Sequence, residues 1–198
     1  MKTVVYGGSF DPPHIGHVRD VKLAISELSP DRVWVFPAFL SPGKTPGEIS
    51  ACPEDRLRMC RLAFDGIELT SVRDDELRRG GVSFTADTLA ALRAENPEDE
   101  FVLAMGSDQF LSFRRWYNYL YILSQASLFV VLRDGCTAER LREEASELSC
   151  ETGCRIDVYC GSVLTASSTQ VRQGGGTGIL PPAVAEYVRE RRLYLRET

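Results

Sequence analysis

The segment Gly7-Gly8-Ser9-Phe10-Asp11-Pro12-Pro13-His14-Ile15-Gly16-His17 concentrates the residues best suited to handling phosphate. Paired glycines allow the backbone to turn sharply and bring its N–H groups close to a ligand. A helical pattern opens directly afterwards, and a helix start adds unpaired N–H donors and partial positive charge, which suits an anion such as a triphosphate. His14 and His17 are the only histidines in the chain, and they stand three apart. That spacing projects both from one side of a first helical turn. With Gly16 between them, a phosphate can lie against the backbone. Two imidazoles can then donate hydrogen bonds to its non-bridging oxygens as charge builds on a pentavalent α-phosphorus. The same pair could ligate a metal, but no third ligand is evident, so no protein metal site is expected here.

A second candidate is Ala166-Ser167-Ser168-Thr169-Gln170-Val171-Arg172. Ser167, Ser168 and Thr169 precede a helical stretch as N-cap candidates. Their hydroxyls and free backbone N–H groups can hold phosphates, and Arg172 can add a bidentate, charge-assisted contact. Taken alone, these residues more often describe an ordinary capped helix with a surface arginine. Lys44, in Ser41-Pro42-Gly43-Lys44, is a third basic candidate in a loop, where a lysine is usually just solvated.

The elements that must position these residues follow from short apolar runs alternating with amphipathic stretches. Thr3 to Tyr6, Val33 to Phe36, Phe101 to Met105, Leu128 to Leu132 and Ile156 to Tyr159 read as buried strands. Helical patterns run from Ile15 to Leu28, from Pro53 to Phe64, and over Thr85 to Glu95, Gln109 to Trp116, Thr137 to Leu148 and Ala183 to Arg191. Strands separated by helices make parallel crossovers, hence an α/β, Rossmann-like doubly wound sheet. The 198 residues are expected to form one domain, with a small helical C-terminal region over about 167–198. Such sheets bind ligands at the carboxyl ends of their strands, where the winding reverses. The segments standing there are the Gly7–His17 turn, the loop holding Lys44, Gly106-Ser107-Asp108, Arg133-Asp134-Gly135 and the approach to Ser167. The Pro-, Gly- and Ser-rich stretch from Ala38 to Cys52 is a candidate active-site flap.

Composition narrows the partners. A net charge of -5 argues against a protein that lives on a nucleic-acid backbone. The N-terminal apolar run is too short for a signal peptide, and no stretch reaches membrane-spanning length, so a soluble cytoplasmic protein is expected. Six cysteines form no Cys-x-x-Cys pair and have no histidine nearby, which reads as free thiols, mostly buried. Oligomeric state is not legible.

The first segment resembles the (H/T)xGH signature of the nucleotidyltransferase superfamily, in the G-G-(T/S)-F-D-P-x-H-x-G-H form of the bacterial nicotinate-mononucleotide adenylyltransferases. The second resembles the (I/V/A)SST-x-(I/V)R signature of the same superfamily. That resemblance implies transfer of the adenylyl group of ATP, brought in with Mg²⁺, to nicotinate mononucleotide. It implies catalytic roles for His14, His17, Lys44 and Arg172, and ATP contacts from Gly7, Gly8, Ser9, Phe10, Gly16, Ser167, Ser168 and Thr169. Lys44 matches a phosphate-contacting basic residue commonly set in P-P-H-K, although Gly43 replaces the histidine and Ala38 stands where Asn often follows the proline. Gly106-Ser107-Asp108 resembles the family's G-(S/A/T/G)-D, with Asp108 accepting a ribose hydroxyl or capping a helix, and Arg133 matches an arginine near the nucleotide, though on sequence alone it equally describes a surface arginine beside Asp134 and Gly135. Asp11 could hold metal-bound water.

Two further segments resemble the nicotinate branch: Ser83-Phe84-Thr85-Ala86-Asp87-Thr88 and Arg115-Trp116-Tyr117. The implied design has backbone N–H groups near Thr85 and Tyr117 meeting the nicotinate carboxylate, with Trp116 against the ring and Lys44 on the mononucleotide side. On pattern alone, an aromatic pair is core more often than ligand platform, and Ser83 or Thr85 could simply cap the following helix. Two other functions remain open at this stage: transfer to a different phosphate acceptor, and a non-catalytic nucleotide sensor on the same fold.

Overall fold

The computed structural model describes residues 1–162, 165–174 and 177–194. Six strands form one all-parallel sheet: β1 Lys2–Gly8, β2 Arg32–Pro37, β3 Thr70–Val72, β4 Glu100–Gly106, β5 Ala126–Val131 and β6 Ile156–Tyr159. Their order across the sheet is β3-β2-β1-β4-β5-β6. The winding therefore reverses between β1 and β4, which places the ligand-binding crevice beyond Gly8 and Gly106. The helices are α1 Ile15–Leu28, α2 Pro53–Phe64, α3 Asp75–Arg79, α4 Thr85–Glu95, α5 Ser107–Phe110, α6 Tyr119–Gln125, α7 Ala138–Thr152, α8 Ser168–Arg172 and α9 Pro182–Glu190. Among the described residues, no helix is long and apolar enough to cross a membrane.

The central strands are apolar on both faces because both faces are covered, as parallel crossovers require. Side chains alternate across the pleat, so neighbouring strand residues enter different cores. Val4, Tyr6, Val33, Val35, Val102 and Ala104 join one core with Val21, Met59 and Val184 of α1, α2 and α9. Val5, Trp34, Phe36, Phe101, Leu103 and Met105 join the other with Leu89, Ile122 and Leu141 of α4, α6 and α7.

Five strands agree with the sequence reading, and β3 was not foreseen. It is a three-residue edge strand with no fully buried side chain, so it lacks the apolar run that marks the others. The stretch expected to be helical from Gln109 to Trp116 is broken into α5 and a 3-10 turn over Phe113–Arg115. Asn118, in the left-handed region at φ 52, then starts α6. In the C-terminal region, α8, a 3-10 turn over Thr177–Ile179 and α9 follow in order, while residues 175–176 and 195–198 lie outside the described residues. All six cysteines are free thiols. Only Cys60 and Cys154 are buried, fewer than expected, because Cys52, Cys136, Cys150 and Cys160 occupy loops and helix ends.

Candidate active site

Gly7 and Gly8 do not make the turn expected of them. Both lie within β1, paired with Phe36 and Pro37 of β2. The chain turns two residues later, where Phe10 adopts a left-handed φ of 46. Phe10 is itself core, packed edge-on against His17 at 5.0 Å and Phe64 at 6.0 Å. The two glycines differ in surroundings: a Cβ at Gly7 would meet nothing within 4 Å, whereas one at Gly8 would press on the Phe10 ring at 3.1 Å.

The two histidines build the start of α1. His14 is the N-cap, and its Nδ1 accepts from the Gly16 N–H at 3.2 Å. His17 Nδ1 accepts from the His14 N–H at 3.1 Å. The pair is thus a capping box made of imidazoles, with the rings stacked at 3.7 Å between centroids. Since both Nδ1 atoms accept, each neutral ring carries its proton on Nε2. Burial depresses the His14 pKa to about 4, with the Arg133 charge adding to the effect. Burial likewise holds His17 well below the usual histidine value, and His14 and Arg133 push it further down. At neutral pH the site therefore offers two neutral Nε2–H donors whose orientation is fixed by backbone. Neither ring is a base waiting to take a proton.

Gly16 is glycine for a steric reason. A Cβ there would sit 2.9 Å from the His14 ring atoms Cε1 and Nδ1. Gly16→Ala should push the imidazole off its cap and lower kcat at least tenfold while the protein still folds. A kcat within twofold of the unsubstituted enzyme would show that His14 orientation does not matter.

The second motif docks onto the first. Ser168 Oγ donates to the Pro12 carbonyl at 2.8 Å, and Arg172 Nη1 donates to the Asp11 carbonyl at 2.7 Å. Segments more than 150 residues apart thus meet at one turn. Ser167 caps α8 by accepting from the Gln170 N–H at 3.2 Å, and Thr169 Oγ1 accepts from Arg172 Nη2 at 3.0 Å. Ser167 and Thr169 therefore keep a hydroxyl proton to donate, whereas Ser168 has spent its own.

Lys44 reaches the same place from the loop after β2, donating to Ser9 Oγ at 3.0 Å. Ser9 Oγ also lies 2.6 Å from Ser41 Oγ. Partial burial, followed by repulsion from Arg172, lowers the Lys44 pKa. Two cations crowded together beside a turn want an anion between them.

Asp11 is not free to hold metal-bound water. It is buried, and its carboxylate accepts from the Ser50 N–H at 2.8 Å, the Ala51 N–H at 3.0 Å and the Tyr194 hydroxyl at 2.8 Å. It fastens the turn to the far end of the flap and to the C-terminal segment. Asp108 stands half-exposed at the start of α5, where Gly106 occupies the cap position, so the capping role falls away. Arg133 leaves the end of β5 and crosses Gly106, where a Cβ would collide with its Nε.

Thr85 begins α4, and neither it nor Ser83 caps that helix: the N-cap residue Phe84 makes no side-chain bond. Ser83 Oγ instead accepts from the Phe39 N–H at 2.9 Å, tying this segment to the loop that carries Lys44. Phe84 packs against Tyr117 at 4.7 Å, which brings the Thr85 and Trp116-Tyr117 segments together. Trp116 is half-buried on Phe113 at 5.2 Å, and Tyr117 is exposed. Among the described residues, neither the Thr85 nor the Tyr117 N–H is spent on a backbone partner.

Sequence reading missed Arg56. It is fully buried in α2 and donates to four backbone carbonyls, those of Ser9, Ala38, Phe39 and Ala51. The signal was present: Arg56 shares the apolar face of α2 with Met59, Cys60 and Ala63, where a charge has no business unless it is holding something.

Residues 5–174 match the cytidylyltransferase-like family model. A protein of Shewanella pealeana named "Probable nicotinate-nucleotide adenylyltransferase" is 35% identical, with 98% of this chain and 96% of that protein covered. One of the same name from Geobacter sulfurreducens is 32% identical over 100% of both chains. The chain belongs to this nucleotidyltransferase family. The fold of the nicotinate-nucleotide adenylyltransferases also extends to remote solved structures. The Plasmodium falciparum nicotinic acid mononucleotide adenylyltransferase complexed with APC superposes with a TM-score of 0.77 over 98% of each chain at 15% identity. The same protein complexed with NaAD gives 0.76 at 16% identity. Among the described residues, no group of three or more His, Cys, Asp or Glu side chains is placed to hold a metal ion.

Proposed function

We propose that this protein transfers the adenylyl group of ATP to nicotinate mononucleotide, producing nicotinate adenine dinucleotide and pyrophosphate in the cytoplasm. The observation that carries the reading is the pair of backbone-locked Nε2–H donors at the end of the turn that Lys44 meets at Ser9 and Arg172 meets at the Asp11 carbonyl. The acceptor's phosphate oxygen attacks the α-phosphorus in line, and the bond to the β-phosphate oxygen breaks as the pyrophosphate leaves. The nucleophile is already an anion, so no general base is required. His14 and His17 donate to the non-bridging oxygens as charge develops there. Arg172, with Lys44, takes the growing charge on the leaving pyrophosphate. Mg²⁺ enters as part of the substrate Mg-ATP.

The acceptor side is supported by the junction of Thr85 with Trp116-Tyr117. Unspent backbone N–H groups there suit a carboxylate, and they would face the NH₂ group of the corresponding amide unfavourably. Trp116 supplies a flat face for a pyridine ring.

Pyrophosphate release should be measured with Mg-ATP and, in parallel, nicotinate mononucleotide, nicotinamide mononucleotide and phosphopantetheine. Turnover with the nicotinate substrate at least tenfold above the amide is expected. Equal rates with the two mononucleotides would remove the carboxylate account but keep the reaction. Turnover only with phosphopantetheine would replace the acceptor altogether.

A further inference from the structure

Arg133 is held in a way that the reaction as described does not use. It follows β5, yet its side chain spans the crevice between β4 and β1 and ends in the core of another layer. There its Nη2 forms an ion pair with Asp20 of α1 and donates to the Tyr6 hydroxyl at 3.2 Å. Tyr6 in turn donates to the same Asp20 oxygen, Oδ2, at 2.9 Å. Asp20 and Tyr6 are each only 3% exposed, so this carboxylate is a deliberate burial on the apolar face of α1, one turn beyond His17. The guanidinium also stands beside the half-exposed Asp108, with Nε 3.9 Å from Oδ1. Gly106 supplies the room beneath, since any Cβ there would collide with both Arg133 and Asp108.

We propose that Asp20, with Tyr6, is a positioning residue that clamps one end of the Arg133 guanidinium so that its remaining donors face a nucleotide in the β1/β4 crevice. The inference rests on the adenylyl-transfer reading for what the crevice holds. Three observations carry it. The guanidinium crosses the topological switch point, where doubly wound sheets take their ligands. Among the described residues, only its Nη2 is within hydrogen-bond distance of a side-chain partner, which leaves Nη1 and Nε to donate. Its anchor is rigid, since a carboxylate buried on a helix and a tyrosine on a strand leave it little freedom. An arginine fixed in this way loses less freedom when it meets an anion or a ribose oxygen than one swinging in solvent. The charge is also near enough to both imidazoles to help keep them neutral.

A double-mutant cycle separates this role from a purely structural one. Asp20→Asn keeps the volume and one acceptor, and removes the charge that fixes Arg133. Alone, it should lower kcat/KM for ATP at least tenfold, mostly through KM, in a variant that a thermal melt shows to be folded. In an Arg133→Gln background the same substitution should do nothing further, because there is no longer an arginine to position. Independent, multiplying effects would overturn the proposal, as would unaltered kinetics in Asp20→Asn. If that variant does not fold, Tyr6→Phe removes both hydrogen bonds of the Tyr6 hydroxyl from the same clamp and leaves the Asp20 ion pair; it should raise KM for ATP about threefold, and an unaltered KM would overturn the proposal. Should the unsubstituted protein bind ATP without turnover, the adenylyl-transfer reading fails on its own. The same cycle is then read in ATP dissociation constants by calorimetry, with the same two outcomes.

Discussion

His17→Ala is expected to lower kcat by about 10²–10³, the usual consequence of deleting one donor to a developing charge, with a far smaller change in KM for ATP. The size of the effect follows from how the donor is made. His17 Nδ1 accepts the His14 N–H, so the proton sits on Nε2 and cannot wander. The ring is held by Phe10 on one side and His14 on the other, so it does not reorganise when charge appears. Burial, with the His14 and Arg133 charges, holds its pKa well below the usual histidine value, so the ring is a neutral donor at neutral pH. Ala also removes the acceptor for the His14 N–H, costing about 1 kcal/mol of helix capping. That loss moves the melting temperature by only a few degrees in a chain of this size. The measurement is therefore steady-state kinetics beside a thermal melt. A folded variant with kcat within threefold of normal would take His17 out of the chemistry.

The largest expected loss of stability comes from Arg56, a residue that touches no substrate in this account. Arg56→Met keeps the length of the side chain on the core face of α2 but withdraws the donors that serve the carbonyls of Ser9, Ala38, Phe39 and Ala51. Each buried carbonyl left without a partner costs about 1–3 kcal/mol. Removing the buried charge returns part of that sum, so a net loss of about 4 kcal/mol is expected. For a domain of this size the melting temperature should fall by roughly 10 °C. Activity should fall too, because Ser9 receives Lys44 and Ala38 opens the flap. A melting temperature within 2 °C of the unsubstituted protein would mean that water replaces the guanidinium, and that the flap does not depend on it.

The flap itself illustrates how such contacts work. From sequence, Ala38 to Cys52 is a loop of turn-forming residues. In the fold its first residues are gripped by Arg56, and Leu40 forms a parallel bridge with Val82. Its last residues are gripped by Asp11. The stretch between these anchors carries Lys44, so the basic residue hangs from two fixed ends.

What the sequence determined by itself was everything encoded locally. Five strands were legible because a sheet covered on both faces needs unbroken apolar runs. The start of α1 was legible because His14, Gly16 and His17 do their work within a single turn. Even the pairing of the two phosphate motifs could be anticipated, since parallel winding sends every strand end to the same side. Short elements escaped because their stability comes from neighbours: β3 is held by β2, and α5 and its following 3-10 turn by the burial of Phe110 and Phe113.

Only the tertiary structure decided the contacts that join distant chain positions. Asp11 meets Tyr194, Arg133 meets Asp20, and Arg56 collects carbonyls from two loops. Periodicity sets Arg56 on the apolar face of α2, but no spacing, periodicity or composition names the partner in any of these pairings. A charged residue reads as solvent-exposed unless its partners are known, and the partners are known only once the layers have packed. The turn after β1 follows the same rule. Its glycines were visible in the sequence, but that Phe10 makes the bend and packs on Gly8 while Gly7 stays open depends on what packs around them.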